Sequence, residues 1–149
     1  MRNAIGNALL VNIIIVFIVV MLGFLTGSLN YTKAYRIKNN LLNLIEREGT
    51  WNDDVKAEAE KLFGEIGYRV VKNTSSKCVD RKGGGEIVAG SAAGTYRYCV
   101  FKYTKVDNIN GFYVTNYVVT TYMYFDIPLV SSILEFPVYG QTKNLYSKK

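Results

Sequence analysis

The sequence predicts an α+β fold: a long N-terminal transmembrane helix continuing into a stalk, a second short helix, and a small antiparallel β-sheet. Three observations predict it. No charged side chain lies between Arg2 and Lys33. A helical stripe of apolar residues outlasts that uncharged run and ends only at Gly49. From Tyr68 onward, short runs rich in β-branched and aromatic residues replace the helical period with alternation.

The uncharged run contains residues 8–25 (ALLVNIIIVFIVVMLGFL), apolar apart from Asn12. About 20 apolar residues cross the hydrocarbon core of a bilayer, so the segment reads as a membrane helix. It is longer than the apolar core of a secretory signal, about 7–15 residues, and no A-x-A site follows it, so an uncleaved anchor is expected. Within it, Gly23 and Gly27 form a small-xxx-small pair with Ser28 beside it, a spacing that lets helices approach closely in lipid. Asn12 carries an amide suited to an interhelical hydrogen bond. Glycine is also common in membrane helices, and Asn12 suits the interface as well.

Beyond the membrane the stripe Ala34, Ile37, Leu41, Leu44 and Ile45 continues to Gly49. Such a stripe must be covered, either by the chain's own sheet or by neighbouring helices. A helix from about Ala4 to Glu48 would be about 65 Å long at 1.5 Å per residue. The chain therefore divides into an N-terminal segment and membrane helix (1–32), a stalk helix (33–49) and a head (50–149). In the head, Thr50-x-x-Asp53 resembles a capping box opening a helix whose stripe is Val55, Ala59, Leu62, Phe63 and Ile66, ended by Gly67. Glu58 and Glu60 are expected on its solvated face.

Short strands are expected at 68–72 and 77–80, joined by a turn at 73–76. Residues 81–95 (RKGGGEIVAGSAAGT) read as a loop or loose strand tips. A phosphate loop is excluded, because no Lys-Ser/Thr pair follows the glycines. Residues 96–104 alternate, with Cys99, Phe101 and Tyr103 on one face and Tyr98, Val100 and Lys102 on the other. Asp107 to Gly111 is a hairpin connection ending in Asn-Gly. Residues 112–125 form the longest strand, Ile127-Pro128 breaks it, and 136–146 form a last strand with Pro137 suited to an edge.

Composition narrows function. The chain has no histidine, which removes the commonest general base and nitrogen metal ligand. Its two cysteines, Cys78 and Cys99, are too few and too far apart for a zinc site or a C-x-x-C motif. Both sit in expected strands; a structural disulfide is the preferred reading, and two reduced buried thiols the other. Only Arg2 of the 18 Lys and Arg precedes the membrane run, and its net charge of +6 is interspersed, so no nucleic-acid footprint appears. Nothing in the spacing assembles a nucleophile with a base, so no enzyme activity, cofactor, metal or small-molecule substrate is expected. Lys33, Arg36, Lys38 and Arg47 after the membrane helix favour a cytoplasmic head by the positive-inside rule, but that rule is weak for long domains. A disulfide requires an oxidising compartment, so an extracytoplasmic head is expected.

An apolar helix running into a polar one and then a small antiparallel sheet is similar to the plan of pilins and pseudopilins, and most resembles the TadE-like minor pilins of Tad (Flp) pilus systems. Three places carry the resemblance: the entry Gly6-Asn7-Ala8-Leu9-Leu10-Val11-Asn12, the stalk 31–49 (YTKAYRIKNNLLNLIEREG), and the C-terminal pattern 118–146. The family has a Glu a few residues into the membrane run, after a small residue where a prepilin peptidase cuts. Here Asn12 stands about where that Glu would be, and Gly6 is the candidate processing site, with the spacing one residue long. The resemblance implies a pilin-like structural subunit anchored in the cell membrane. It would assemble through Asn12, Gly23, Gly27, Ile37, Leu41 and Leu44, with membrane lipid and other pilin-like subunits or pilus assembly proteins as partners. The alternative is a single-pass anchor presenting an extracellular binding module that does not polymerise.

Overall fold

The computed structural model describes residues 2–72, 77–107, 111–125 and 134–148. A single helix, α1 (Arg2–Glu48), runs 47 residues without a break through both the apolar run and the stalk. It stops where the Gly49 N–H bonds back to the Ile45 carbonyl at 2.8 Å. The second helix, α2, spans Asp53–Ile66. Its cap is Asn52 rather than Thr50: the Asn52 carboxamide oxygen accepts from the Val55 N–H at 2.8 Å. Thr50 instead lies 3.4 Å from the Tyr117 hydroxyl, so the expected capping box is displaced by two residues. Val55, Ala59 and Phe63 are buried as the stripe requires.

Five antiparallel strands follow: β1 (Glu86–Ala89), β2 (Cys99–Asp107), β3 (Phe112–Phe125), β4 (Leu134–Gln141) and β5 (Leu145–Lys148). β3 is the hub, pairing with β2 on one side and with both β4 and β5 on the other. The β2–β3 hairpin closes through Gly111, whose φ of 67° is the left-handed value expected of Asn-Gly. The turn residues 108–110 and the break at Ile127-Pro128 lie outside the described residues, as does the turn at 73–76.

Two expectations about strands are corrected, and at residues 81–95 the second of the two alternatives, loose strand tips, holds in part. The expected strand 136–146 is two strands, because the ladder is interrupted at Thr142. Its N–H donates to the Tyr117 carbonyl and its hydroxyl accepts from the Tyr117 N–H, both at 2.9 Å. The next N–H, of Lys143, is drawn to Glu46 of α1 at 2.8 Å. Residues 68–72 and the described 77–80 make no strand; only Val71 forms an isolated bridge, with Tyr96. A strand instead occupies the Gly-rich segment, where Glu86-Ile87-Val88-Ala89 pairs with β2.

Pleat alternation sorts the sheet into two faces. On the helix face, the Thr121 hydroxyl donates to the Ala34 carbonyl at 3.0 Å. Tyr98 packs its ring 4.6 Å from that of Phe63, and Gly140 lies so close to α1 that an added Cβ would meet Leu42 Cδ1 at 2.7 Å. The stalk stripe is therefore covered by the chain itself: Ala34, Ile37, Leu41, Leu44 and Ile45 are all buried. Burial of a large aliphatic side chain contributes about 1.5–3 kcal/mol, so this stripe fixes the head on the helix. The far end of β3 is closed by side chains, since β2 begins opposite Thr120 and leaves later residues without a ladder partner there. The Tyr68 hydroxyl donates to the Tyr122 carbonyl at 3.0 Å and accepts from the Tyr122 N–H. The Asn30 amide donates to the Tyr124 carbonyl at 2.6 Å. Backbone groups alternate sides along a strand, so Tyr122 and Tyr124 point theirs away from β4, toward the side where β2 is missing, and Tyr68 and Asn30 stand in for the absent ladder.

The opposite face of the sheet is covered by a strap, residues 77–85. Cys78 is disulfide-bonded to Cys99, with Cα atoms 5.8 Å apart. Beyond it, Asp80 receives the Tyr103 hydroxyl, Arg81 stacks on Tyr139, and Lys82 bonds Gln141. The head is thus three layers: helices, sheet and strap.

Candidate functional site

The residues that sequence reasoning singled out fall into two groups. Along α1, residues 8–22 are exposed, whatever side of the helix they occupy, and no part of the most apolar 18-residue window, mean hydropathy 3.1, is covered by the head. By length and composition this one helix is apolar enough to cross a membrane. An apolar surface of this kind needs lipid or another apolar partner to exclude water. Its hydroxyls do not break the pattern, because Thr26 and Thr32 bond back to the carbonyls of Leu22 and Ser28, each at 2.9 Å.

Where the apolar half meets the head there is a groove of about 520 Å³, lined by Val20, Gly23, Phe24, Gly27, Ser28, Tyr31 and Met123. Gly23 is half-buried with nothing within 4 Å of an added Cβ, so the helix surface there is flat and open. Asn12 lies three turns before Gly23, on nearly the same helical face by the 3.6-residue period, and is exposed. The other assembly candidates are placed differently. Gly27 is buried, and Ile37, Leu41 and Leu44 sit in the chain's own core, at 0%, 2% and 6% exposure. They have almost no surface left to offer a neighbour. Gly6 lies within α1, with its surroundings outside the description.

The second group is the strap. The Asp80 carboxylate accepts from the N–H groups of Lys82 at 3.0 Å and Gly85 at 2.7 Å, and from the Tyr103 hydroxyl. These hydrogen bonds, the Tyr103 one foremost, hold its carboxyl below the usual range. Burial first, and the Asp80 hydrogen bond second, push Tyr103 up to about 12. The signs are opposite. Asp80 stabilises the strap above its ordinary pKa of 3.8 and loses that contribution as pH falls through its lower folded value. Tyr103 contributes below its ordinary 10.0 and loses it as pH rises through about 12. The Gly85 amide proton should therefore titrate below pH 3.8 in NMR spectra, and Asp80→Asn should abolish that step. A step at or above 3.8 would count against the strap geometry.

Asn30, Tyr68, Asp80 and Gly90 carry structural roles that sequence reasoning did not assign. Asn30 was legible as the polar member of the 27–30–34–37 stripe. Asp80 was legible as an Asx turn opening a Gly run. Tyr68 and Gly90 gave no local signal. Among the described residues no cluster of three His, Cys, Asp or Glu side chains is placed to hold a metal ion. No family model, curated protein or solved structure matches the chain.

Proposed function

We propose that the chain is a membrane-anchored, pilin-like structural subunit, of the minor pilin or pseudopilin kind, that assembles through the apolar half of α1 in a pilus or secretion system. The observation that carries this reading is the division of one unbroken 47-residue helix. The stalk stripe is consumed by the head, while residues 8–22 remain bare on every side and lead into a flat face at Gly23. A mere anchor needs neither rigid continuity with its cargo nor a small-residue face bearing an amide at Asn12. A head outside the cytoplasm is supported by the Cys78–Cys99 disulfide, because such bonds persist in an oxidising compartment.

The test uses the fact that the described cysteines are both paired, so an added one is a single free thiol. Gly23→Cys in native membranes is expected to give disulfide-linked dimers under oxidising conditions. Leu25→Cys, about 200° around the helix and 62% exposed, is expected to give far fewer. Protease digestion of intact cells carrying the same chains reports the side of the head. Equal or absent crosslinking at Gly23, with no filament-dependent phenotype, would favour the non-polymerising binding module and end the assembly reading.

A further inference from the structure

The strap does not lie flat on the sheet. Between them is a cleft of about 260 Å³. Phe101, Val118 and Thr120 form its floor, Val79 and Tyr139 line it, and Arg81 and Lys82 stand on the strap side. Both cations are held in place. The Arg81 guanidinium lies 4.0 Å from the Tyr139 ring centroid, and stacking on a ring face leaves its in-plane N–H fork free. Lys82 Nζ donates to the Gln141 carboxamide oxygen, which orients the ammonium without neutralising it. Among the described residues, neither cation has a carboxylate within ion-pair distance. Asp80, the acid of the strap itself, is occupied by two backbone N–H groups and the Tyr103 hydroxyl.

Two oriented cations that no described carboxylate neutralises, over a floor that is apolar apart from Thr120, define a chemistry. We propose that this cleft binds a carboxylate carried on a short apolar body. The carboxylate takes the Arg81 fork bidentately with Lys82 beside it, and the apolar part rests on Phe101 and Val118. A sugar acid fits less well, because its ring hydroxyls would rest on the apolar side chains of Phe101 and Val118, and the Tyr103 hydroxyl proton is already given to Asp80. Two sources carry the favoured chemistry: the last residue of an apolar-ended peptide, and a free acyl amino acid. The inference does not depend on whether α1 assembles.

The test is NMR titration of the full isotope-labelled chain in lipid nanodiscs with N-acetyl-L-leucine, its amide, glucuronate, and an acetylated peptide ending in leucine. N-acetyl-L-leucine should shift the Phe101, Val118 and Gln141 resonances, and its amide should bind at least about tenfold more weakly, as loss of a charge-assisted pair implies. Arg81→Gln should weaken binding by a similar factor. Gln141→Glu, which supplies Lys82 with an internal carboxylate from an exposed position, should also weaken it while leaving the Cys78–Cys99 bond formed. Saturation by the peptide identifies a chain terminus as the source, and saturation by the acyl amino acid alone identifies a free acid. Equal binding of acid and amide, undiminished binding by Arg81→Gln and Gln141→Glu, preference for glucuronate, or no shift with any probe would overturn the proposal.

Discussion

Gly90→Ala is expected to prevent closure of the Cys78–Cys99 disulfide in most molecules and to destabilise the head by about 3 kcal/mol or more. Gly90 sits at a φ of 103°, where a side chain is strained, at a cost of about 1–3 kcal/mol. The larger objection is space. An added Cβ would lie 2.7 Å from Cys78 Sγ, 2.7 Å from the Tyr98 carbonyl oxygen and 3.1 Å from Cys99 Cα. Two of these three are backbone atoms of the chain entering β2, and the third belongs to the crosslink, so no flexible side-chain end can move aside. Relief requires β1 to leave β2 or Cys78 to leave Cys99. Losing a bridge with a sequence separation of 21 would itself cost about 3 kcal/mol. Gly64→Ala is the control. It lies inside α2 with nothing within 4 Å of an added Cβ, so it should stabilise by about 0.5–1 kcal/mol. Thiol counting by mass spectrometry and thermal melts read both variants. A fully oxidised Gly90→Ala head with an unchanged melting temperature would show that the packing around the bridge is not as described.

How much of this was legible beforehand depends on whether a residue's role is local. The membrane run, the stalk stripe, α2 and β3 are written in periodicity, and β3 occupies the expected residues 112–125. The Cys78–Cys99 bond was the preferred reading over two reduced thiols, on the ground that both cysteines lay in expected strands; the bond is present, although Cys78 sits in the strap and not in a strand. What failed was local assignment where long-range contacts decide. Residues 68–72 have strand composition, yet Tyr68 spends its hydroxyl on the backbone of Tyr122, 54 residues away, and only Val71 pairs. Residues 86–89 are a strand despite flanking glycines, because β2 offers a free edge for them. The stripe illustrates the same limit. Its period announced that Ile37, Leu41 and Leu44 would be covered, but only the fold shows that the cover is the chain's own sheet and not a neighbour.

That distinction leads to the largest effect expected on the helix, from Ile37→Asp. Ile37 has no exposure and lies one turn beyond Ala34, whose carbonyl receives the buried Thr121 hydroxyl. Removing the side chain of a buried Ile costs about 2–5 kcal/mol. An unpaired carboxylate in its place adds several more, less whatever is recovered by protonation. Domains of this size are stable by about 5–15 kcal/mol, so one substitution approaches the whole margin. The sheet should detach from α1 and become sensitive to protease, with loss of the near-UV signal of its buried tyrosines. Membrane insertion should be untouched, because residues 8–25 take no part in that core. Asn40→Asp, an exposed position on the stalk, introduces the same charge and should change neither property measurably. If Ile37→Asp instead left the head folded but reduced Gly23→Cys crosslinking, the stripe would be facing a neighbouring helix rather than the sheet. Equal protease resistance and equal crosslinking in both variants would refute the buried packing of Ile37 altogether. The two halves of α1 thus make separable predictions: charge in the stalk stripe unfolds the cargo, whereas a change at Gly23 alters only what the helix meets in the membrane.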